Sequence, residues 1–164
     1  MPISEYLRNL RQKIGNQCVM MPAVSAIILD DRRRVLLHRS RDDGNWYVIG
    51  GAPEPGEPLA KAVVREAREE TGLIVRPNRL VGVYVDPIVT YGNGDQVLYS
   101  ATTFACDIVG GDVHVADDES LEVKFFDPDH LPELLPTHRL RIEHTLSENQ
   151  NGYFEWNEAW LKNL

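Results

Sequence analysis

Apolar and polar positions along this chain fall into stretches of two periods. Val19 to Leu29 is an apolar run rich in β-branched residues, long enough for one bent strand or for two strands broken near Pro22. Asp30-Asp31-Arg32 turns the chain into Val35-Leu36-Leu37-His38, expected as a hairpin partner. Ser40 to Asn45 is a polar loop leading to a short strand, Trp46 to Ile49. From Leu59 to Thr71 the period lengthens. Apolar residues at 59, 60, 63, 64 and 67 recur at helical spacing and predict one buried stripe. Pro58 stands in the first turn, where its missing N–H has no intrahelical partner, and Gly72 stands where a left-handed residue ends helices.

Beyond that helix, Leu80 to Val89 reads as a strand with Pro87 near its end. Tyr91 to Asp95 is a turn, and Gln96 to Val109 is the return strand of a second hairpin, stopped by Gly110-Gly111. Glu122 to Phe126 predicts a last short strand with Val123 and Phe125 on one face. Leu131 to Leu135 is expected as one helical turn, and Thr137 as the cap of a helix running to about Leu146. At the other end, Ser4 caps a helix to about Ile14, with Leu7, Leu10 and Ile14 inward and Gly15 closing it. This helix is expected to pack on the domain or on a second subunit, which leaves a homodimer open. The aromatic tail, Tyr153 to Trp160, is expected to fold back onto the body or a partner. Strands on both sides of a central helix, with another helix near the end, suggest a mixed sheet between helical layers. The chain reads as a single α/β domain over 1–164, with the first helix and the tail after about 147 as additions.

Composition narrows the partners. The chain has 164 residues and a net charge of −8, a poor basis for general binding of nucleic acid or an anionic membrane. Cys18 and Cys106 are isolated, with no zinc spacing, and each lies in an apolar run, so both are expected as buried free thiols. The first residues carry no apolar signal region and nothing approaches a membrane span, so a cytoplasmic location is expected.

Glu66, Glu69 and Glu70 stand at i, i+3 and i+4, so their carboxylates converge on one helix face. Like charges at that spacing destabilise a helix, and acids near its C-terminus oppose the macrodipole. Either the face is solvated or a hard divalent cation relieves the repulsion; Mg²⁺ takes oxygen ligands and keeps waters and substrate phosphates in its shell.

The segment resembles the Nudix box throughout: Gly51, five residues, Glu57, seven residues, Arg65-Glu66-Ala67, one residue, Glu69-Glu70, one residue, Gly72-Leu73. With common residues at about 6–7% each, chance would supply its fixed positions about once in 10⁸ starting points. Trp46 to Gly51 looks like the family's lead-in strand, with Ile49 where a proline is common before the two glycines. The resemblance implies an α/β/α sandwich and a hydrolase of a nucleoside diphosphate linked to a further group, with Mg²⁺ as cofactor and Mn²⁺ as a substitute. It implies Glu69 and Glu70 as principal metal ligands, with the Gly51 carbonyl and Glu66 completing the set; Glu66 alternatively orients or deprotonates the water. Glu57 is expected to pair with Arg65 and hold the helix in register. A further acid, ligand or base, often comes from outside the box; Asp117 to Glu122 is the expected source here, the alternative being a solvated acidic loop. Glu119 is preferred because it precedes the strand, whereas Glu122 is fixed by the pleat; Asp112 and His114 are weaker candidates.

For the small nucleotide substrate, Tyr84, Asp86, Tyr91 and Tyr99 either line a base or sugar pocket or pack a core. Arg39 and Arg41 are near enough to the box to meet a terminal phosphate, while Arg32 to Arg34 read as a solvated turn. His138 and His144 read as surface residues. Pro87 and Tyr91 form no clean subfamily signature, so NTPs, ADP-ribose and other nucleotide sugars, and dinucleoside polyphosphates stay open. A nucleotide-sensing module without turnover and a hydrolase of RNA 5′ ends are the competing readings; intact box carboxylates oppose the first and the acidic balance opposes the second.

Overall fold

The computed structural model describes residues 5–163, with side chains described to Leu161. The helices are α1 (Glu5–Ile14), α2 (Leu59–Thr71) and α3 (Pro136–Leu146). The strands are β1 (Val19–Ile28), β2 (Val35–Ser40), β3 (Trp46–Gly51), β4 (Leu73–Val85), β5 (Val89–Thr90), β6 (Gln96–Gly111) and β7 (Ser120–Phe126). They form one mixed sheet in the order β4-β6-β1-β3-β2-β7, with β5 paired to β6. Only β1 and β6 run parallel among the paired strands described.

Period-two alternation sends each strand's apolar residues to two cores, one on each face. Val24, Ala26, Ile28, Leu36 and Ile49 meet Ala62, Val63 and Ala67 of α2. Ile27, Val35, Leu37 and Val48 meet Ile142 of α3. Each fully buried Leu or Ile contributes roughly 1.5–3 kcal/mol to folding. The sandwich expected for a Nudix-like chain is what forms.

For Val19 to Leu29 the single-strand alternative holds, and several other elements differ from expectation. Pro22 does not break β1: this stretch pairs with β6 alone, because β3 reaches only Val24–Ala26, so one edge is open to a residue lacking an N–H. β1 and β2 meet at a single bridge, Leu29 to Val35, since β3 lies between them and pairs with both. β4 begins directly after Gly72 rather than at Leu80. It is the sheet's edge, where exposed polar residues and Pro77 are tolerated and mask the alternation. β6 continues through Gly110 to Gly111, opposite Ile74 and Leu73.

No helical turn forms at 131–135; a 3₁₀ turn lies earlier, at Pro128–His130, where the Asp127 carboxylate accepts the Asp129 N–H. α3 starts at Pro136 with Leu135 as its cap residue, and Thr137 lies inside it. Cys106 is buried but Cys18 is exposed, and both are free. Ser4 lies outside the described residues, while Leu7, Leu10 and Ile14 are half-buried as the pattern of α1 requires.

The tail is split. Tyr153 lies along β4, accepting from the Val83 N–H (3.0 Å) and donating to the Val81 carbonyl (2.8 Å). It approaches at Gly82, where a Cβ would come within 2.6 Å of the Tyr153 oxygen. Phe154, Trp156 and Trp160 remain largely exposed. No helix among the described residues is long and apolar enough to cross a membrane.

Candidate active site

α2 has the predicted bounds. Pro58 is extended at its start (φ −60°, ψ 136°), and Gly72 is left-handed at its end (φ 73°), its N–H returning to the Arg68 carbonyl. Its stripe is the apolar one expected at Val63, Ala67 and the half-buried Val64, but not at its start. Leu59 and Ala60 are exposed, while Ala62, Val63, Glu66, Ala67, Glu70 and Thr71 are buried. Two carboxylates therefore face the sheet.

β3 delivers its closing glycines against these acids. A Cβ on Gly51 would lie 2.5 Å from Glu66 Oε1, so only glycine leaves room for that carboxylate. The Gly50 N–H donates to Glu70 Oε2 at 3.1 Å. Burial pushes the Glu70 carboxyl well above the usual carboxylate range, and the charge of Glu66 pushes it the same way. Glu66 is also raised by burial, against the pull of Arg65.

Arg65 is the fulcrum of the box. Nη2 meets Glu57 Oε2 at 2.9 Å and the Ala52 carbonyl at 3.1 Å. Nη1 meets Glu66 Oε1 at 2.8 Å and Glu69 Oε2 at 3.0 Å. Glu57 is held below its ordinary value mainly by these hydrogen bonds. The expected Glu57–Arg65 pair is present, and it spans from the loop to the helix. Glu69, with 56% of its side chain exposed, faces outward.

The acid loop before β7 closes the site from the other side. The charge of Glu119 acts on both Glu66 and Glu70, and that of Asp117 acts on Glu70. Asp117 Oδ1 accepts the N–H groups of Glu119 (3.2 Å) and Ser120 (2.9 Å). Glu122 lies in β7, in register with Arg39 of β2. His38 was missed in the sequence. Its Nδ1 is 3.1 Å from Ser120 Oγ and its Nε2 is 3.9 Å from Glu70 Oε1. Counting by two from Leu36 on β2 would have placed it on the α2 face.

The other predicted residues are arranged differently. Arg39 Nε donates to the Gly44 carbonyl, and Arg41 binds backbone carbonyls of the acid loop. Tyr84 is 4% exposed and stacked on Tyr153, with Arg141 over its ring and its hydroxyl on His144; it packs a core. Tyr91 is exposed and shares a 2.7 Å hydrogen bond with Tyr99. His138 is buried and His144 is half-buried, the surface expectation failing because α3 turns both toward the sheet. Arg141 and Asp86, unremarked in the sequence as a pair, form an ion pair in which Arg141 Nη2 donates to both Asp86 oxygens, at 2.6 and 2.7 Å.

Among the described residues no three His, Cys, Asp or Glu side chains are gathered tightly enough to hold a metal ion as they stand. Arg65 Nη1 occupies one oxygen of Glu66 and one of Glu69. The donor set nonetheless fits a hard cation. It is all oxygen, two of its carboxylates are buried with like charge, and Gly51 leaves the cradle that Glu66 fills. Mg²⁺ is held by one or two carboxylates plus substrate phosphates and water, so a closed protein cage is not required.

Comparison with known proteins agrees with this geometry. A sequence profile described as the NUDIX domain matches residues 19–147. An ADP-ribose pyrophosphatase of Methanocaldococcus jannaschii is 36% identical over 74% of this chain and 70% of its own length. A putative 8-oxo-dGTP diphosphatase of Bacillus subtilis is 30% identical over 77% of each chain. Among solved structures, a MutT protein from Methanosarcina mazei superposes with a TM-score of 0.64 at 26% identity, covering 77% of this chain and 93% of that one.

Proposed function

For a chain that belongs to the NUDIX family and is a hydrolase acting on phosphorus-containing anhydrides, we propose that the substrate is a nucleoside diphosphate linked to a further group, cleaved at its pyrophosphate bond with Mg²⁺, or Mn²⁺ in its place. ADP-ribose is the first compound to test, on the strength of the 36% identity to an ADP-ribose pyrophosphatase. The observation that carries the reading is the pair of buried, mutually repelling carboxylates, Glu66 and Glu70, lying against Gly50 and Gly51 at the end of β3.

A pyrophosphate resists hydrolysis because its anionic oxygens repel nucleophiles, so catalysis rests on charge neutralisation and placement of a water. Glu66, Glu70 and the Gly51 carbonyl would hold the cation, with Glu69 joining when its carboxylate turns from Arg65. When bound, the cation neutralises phosphate charge and polarises the P–O bonds. Arg65 keeps Glu57, Glu66 and Glu69 in one register. Glu119 accepts the proton of the attacking water, its charge falling beside those of Glu66 and Glu70. Tyr91 and Tyr99 are the candidate contacts for the nucleoside end. Arg39 would reach a terminal phosphate only after leaving the Gly44 carbonyl. Two free thiols, one exposed, suit a reducing compartment such as the cytoplasm.

The test is phosphate release from NTPs, ADP-ribose, nucleotide sugars, dinucleoside polyphosphates and 5′-triphosphorylated RNA, each with Mg²⁺, Mn²⁺ or EDTA. Auxiliary phosphatase reveals monoester products, and pyrophosphatase reveals released pyrophosphate. Metal-dependent turnover of ADP-ribose, lost in EDTA, is the expected result. Binding without turnover of any compound would replace the reading with a nucleotide sensor.

A further inference from the structure

Arg41 lies just past β2 and reaches across to the loop that carries Glu119. Its own N–H donates to the Glu119 carbonyl at 2.7 Å. Nε donates to the Asp118 carbonyl at 2.8 Å, and Nη2 to the Ser120 carbonyl at 3.3 Å. One residue thus holds three consecutive carbonyls. A guanidinium suits the task because its fork spreads donors in fixed directions, whereas a lysine ammonium is a single point.

The same loop is tied at its other end to the catalytic helix. The His114 N–H donates to the Thr71 carbonyl at 3.0 Å, and the Ala116 N–H to the Glu70 carbonyl at 3.4 Å. Between these ties, Asp117 Oδ1 closes the turn by accepting from Glu119 and Ser120. Ser120 is fully buried, with its hydroxyl on His38, which itself stands beside Glu70. The segment from 114 to 120 is therefore fastened to α2 and to the end of β2, with Glu119 held between.

We propose that Arg41 is a positioning residue for Glu119 and not a contact for substrate phosphate: it fixes the backbone on both sides of Glu119, in a loop whose other end is bonded to Glu70 and Thr71 of α2. The inference rests on the reading of Glu119 as an acid of the site. It assigns the Arg41 side chain a role that charge and proximity to the box would give to phosphate binding. The two roles differ in what a substitution changes. Loss of a phosphate contact weakens substrate binding whatever residue stands at 119. Loss of a clamp lowers turnover only while Glu119 is present to be misplaced.

Steady-state rates on the substrate identified by the panel are measured for the wild type, Arg41→Ala, Arg41→Lys, Glu119→Gln and the Arg41→Ala/Glu119→Gln double variant. Amide hydrogen exchange over 117–121 is followed in the same metal-free proteins. Each substitution keeps the backbone N–H at 41 that donates to Glu119, and thermal unfolding checks that each variant is folded. Arg41→Ala should lower kcat about 10- to 100-fold with KM nearly unchanged, as for loss of alignment by a remote change. It should also accelerate exchange at 117–121, Arg41→Lys should follow it in both readouts, and the double variant should be no slower than Glu119→Gln alone. A raised KM that persists in the double variant overturns the proposal in favour of a substrate contact. Unchanged kcat and exchange in Arg41→Ala, with Glu119→Gln impaired, overturns the clamp alone. Full activity in Glu119→Gln removes the underlying reading of Glu119 and the proposal with it.

Discussion

The two faces of the sheet both bury charge, and they compensate it in opposite ways. On the α3 face Arg141, 1% exposed, meets both oxygens of Asp86 through Nη2, with Ser25 Oγ at Nη1 and the Tyr84 ring beside the guanidinium, and among the described residues only its Nε is left without a partner. On the α2 face Glu66 and Glu70 are each 5% exposed, yet among the described residues the Arg65 guanidinium reaches Glu66, while Glu70 is met by a backbone N–H, a neutral-leaning histidine and the like charges of other acids. A matched pair can be retained for the fold alone. An excess of buried negative charge opposes folding, and it persists where a cation or substrate is to supply the missing charge.

Removing the excess should therefore separate activity from stability. Glu70→Gln and Glu69→Gln are each expected to lower metal-dependent turnover about 10³-fold, comparable to losing one charge-stabilising group in other active sites. Glu70→Gln should leave the metal-free protein as stable as the wild type or more so at pH 8, since it deletes an uncompensated buried charge; thermal unfolding measures this. Retention of more than a few per cent of turnover in either variant would refute the metal assignment. Breaking the matched pair should do the reverse. Asp86→Asn leaves Arg141 buried without its partner and should cost about 3 kcal/mol in urea unfolding, while kcat measured well below the transition changes little. Equal losses of activity and stability would dissolve the distinction between the faces.

A finer division lies within the acidic loop and strand. Glu119 adds to the unbalanced side, whereas Glu122 stands in register with Arg39. Glu119→Gln should lower kcat about 10²-fold, the lower range for a general base, and Glu122→Gln by much less. The reverse order in the same assay would identify Glu122 as the working acid.

How much of this was legible depended on how local the cause was. The bounds of α2 follow from Pro58 and Gly72, and the Glu57–Arg65 pair lies within one loop and helix, so both could be read from neighbouring letters. Which glutamates are buried could not. That is decided by where β3 lays Gly50 and Gly51 against the helix, and it exchanges Glu66 and Glu70 for the expected Leu59 and Ala60. α3 misled for a related reason: it turns His138, Arg141 and Thr145 inward, so its polar letters lie on the buried side. The partner that makes this tolerable, Asp86, is 55 residues away in the chain. Arg41 was assigned by charge, and only the packed loop reveals the carbonyls it holds.

His138 offers the mildest test of the same contrast, by pH rather than by charge deletion. It is 9% exposed, its Nδ1 accepts the Val48 N–H at 3.4 Å, and its ring packs edge-on to Tyr47. Burial, reinforced by the nearby charge of Arg141 and opposed by that of Asp86, pushes it down to about 4 from an ordinary 6.5. The unfolded chain thus binds the proton more readily than the folded one across this interval. His138 therefore contributes stability that is complete above the ordinary value and is lost as the pH falls toward 4, amounting to about 2 kcal/mol between pH 7 and pH 5. The buried acids of the α2 face act with opposite sign, since their raised values favour the folded state as they protonate. Unfolding by urea at pH 7 and pH 5, compared between the wild type and His138→Gln, isolates the histidine from those acids. The variant should lose about 2 kcal/mol less than the wild type over that range. Identical pH dependence would mean that the α3 face stays indifferent to acid, leaving its balance to the Arg141–Asp86 pair alone.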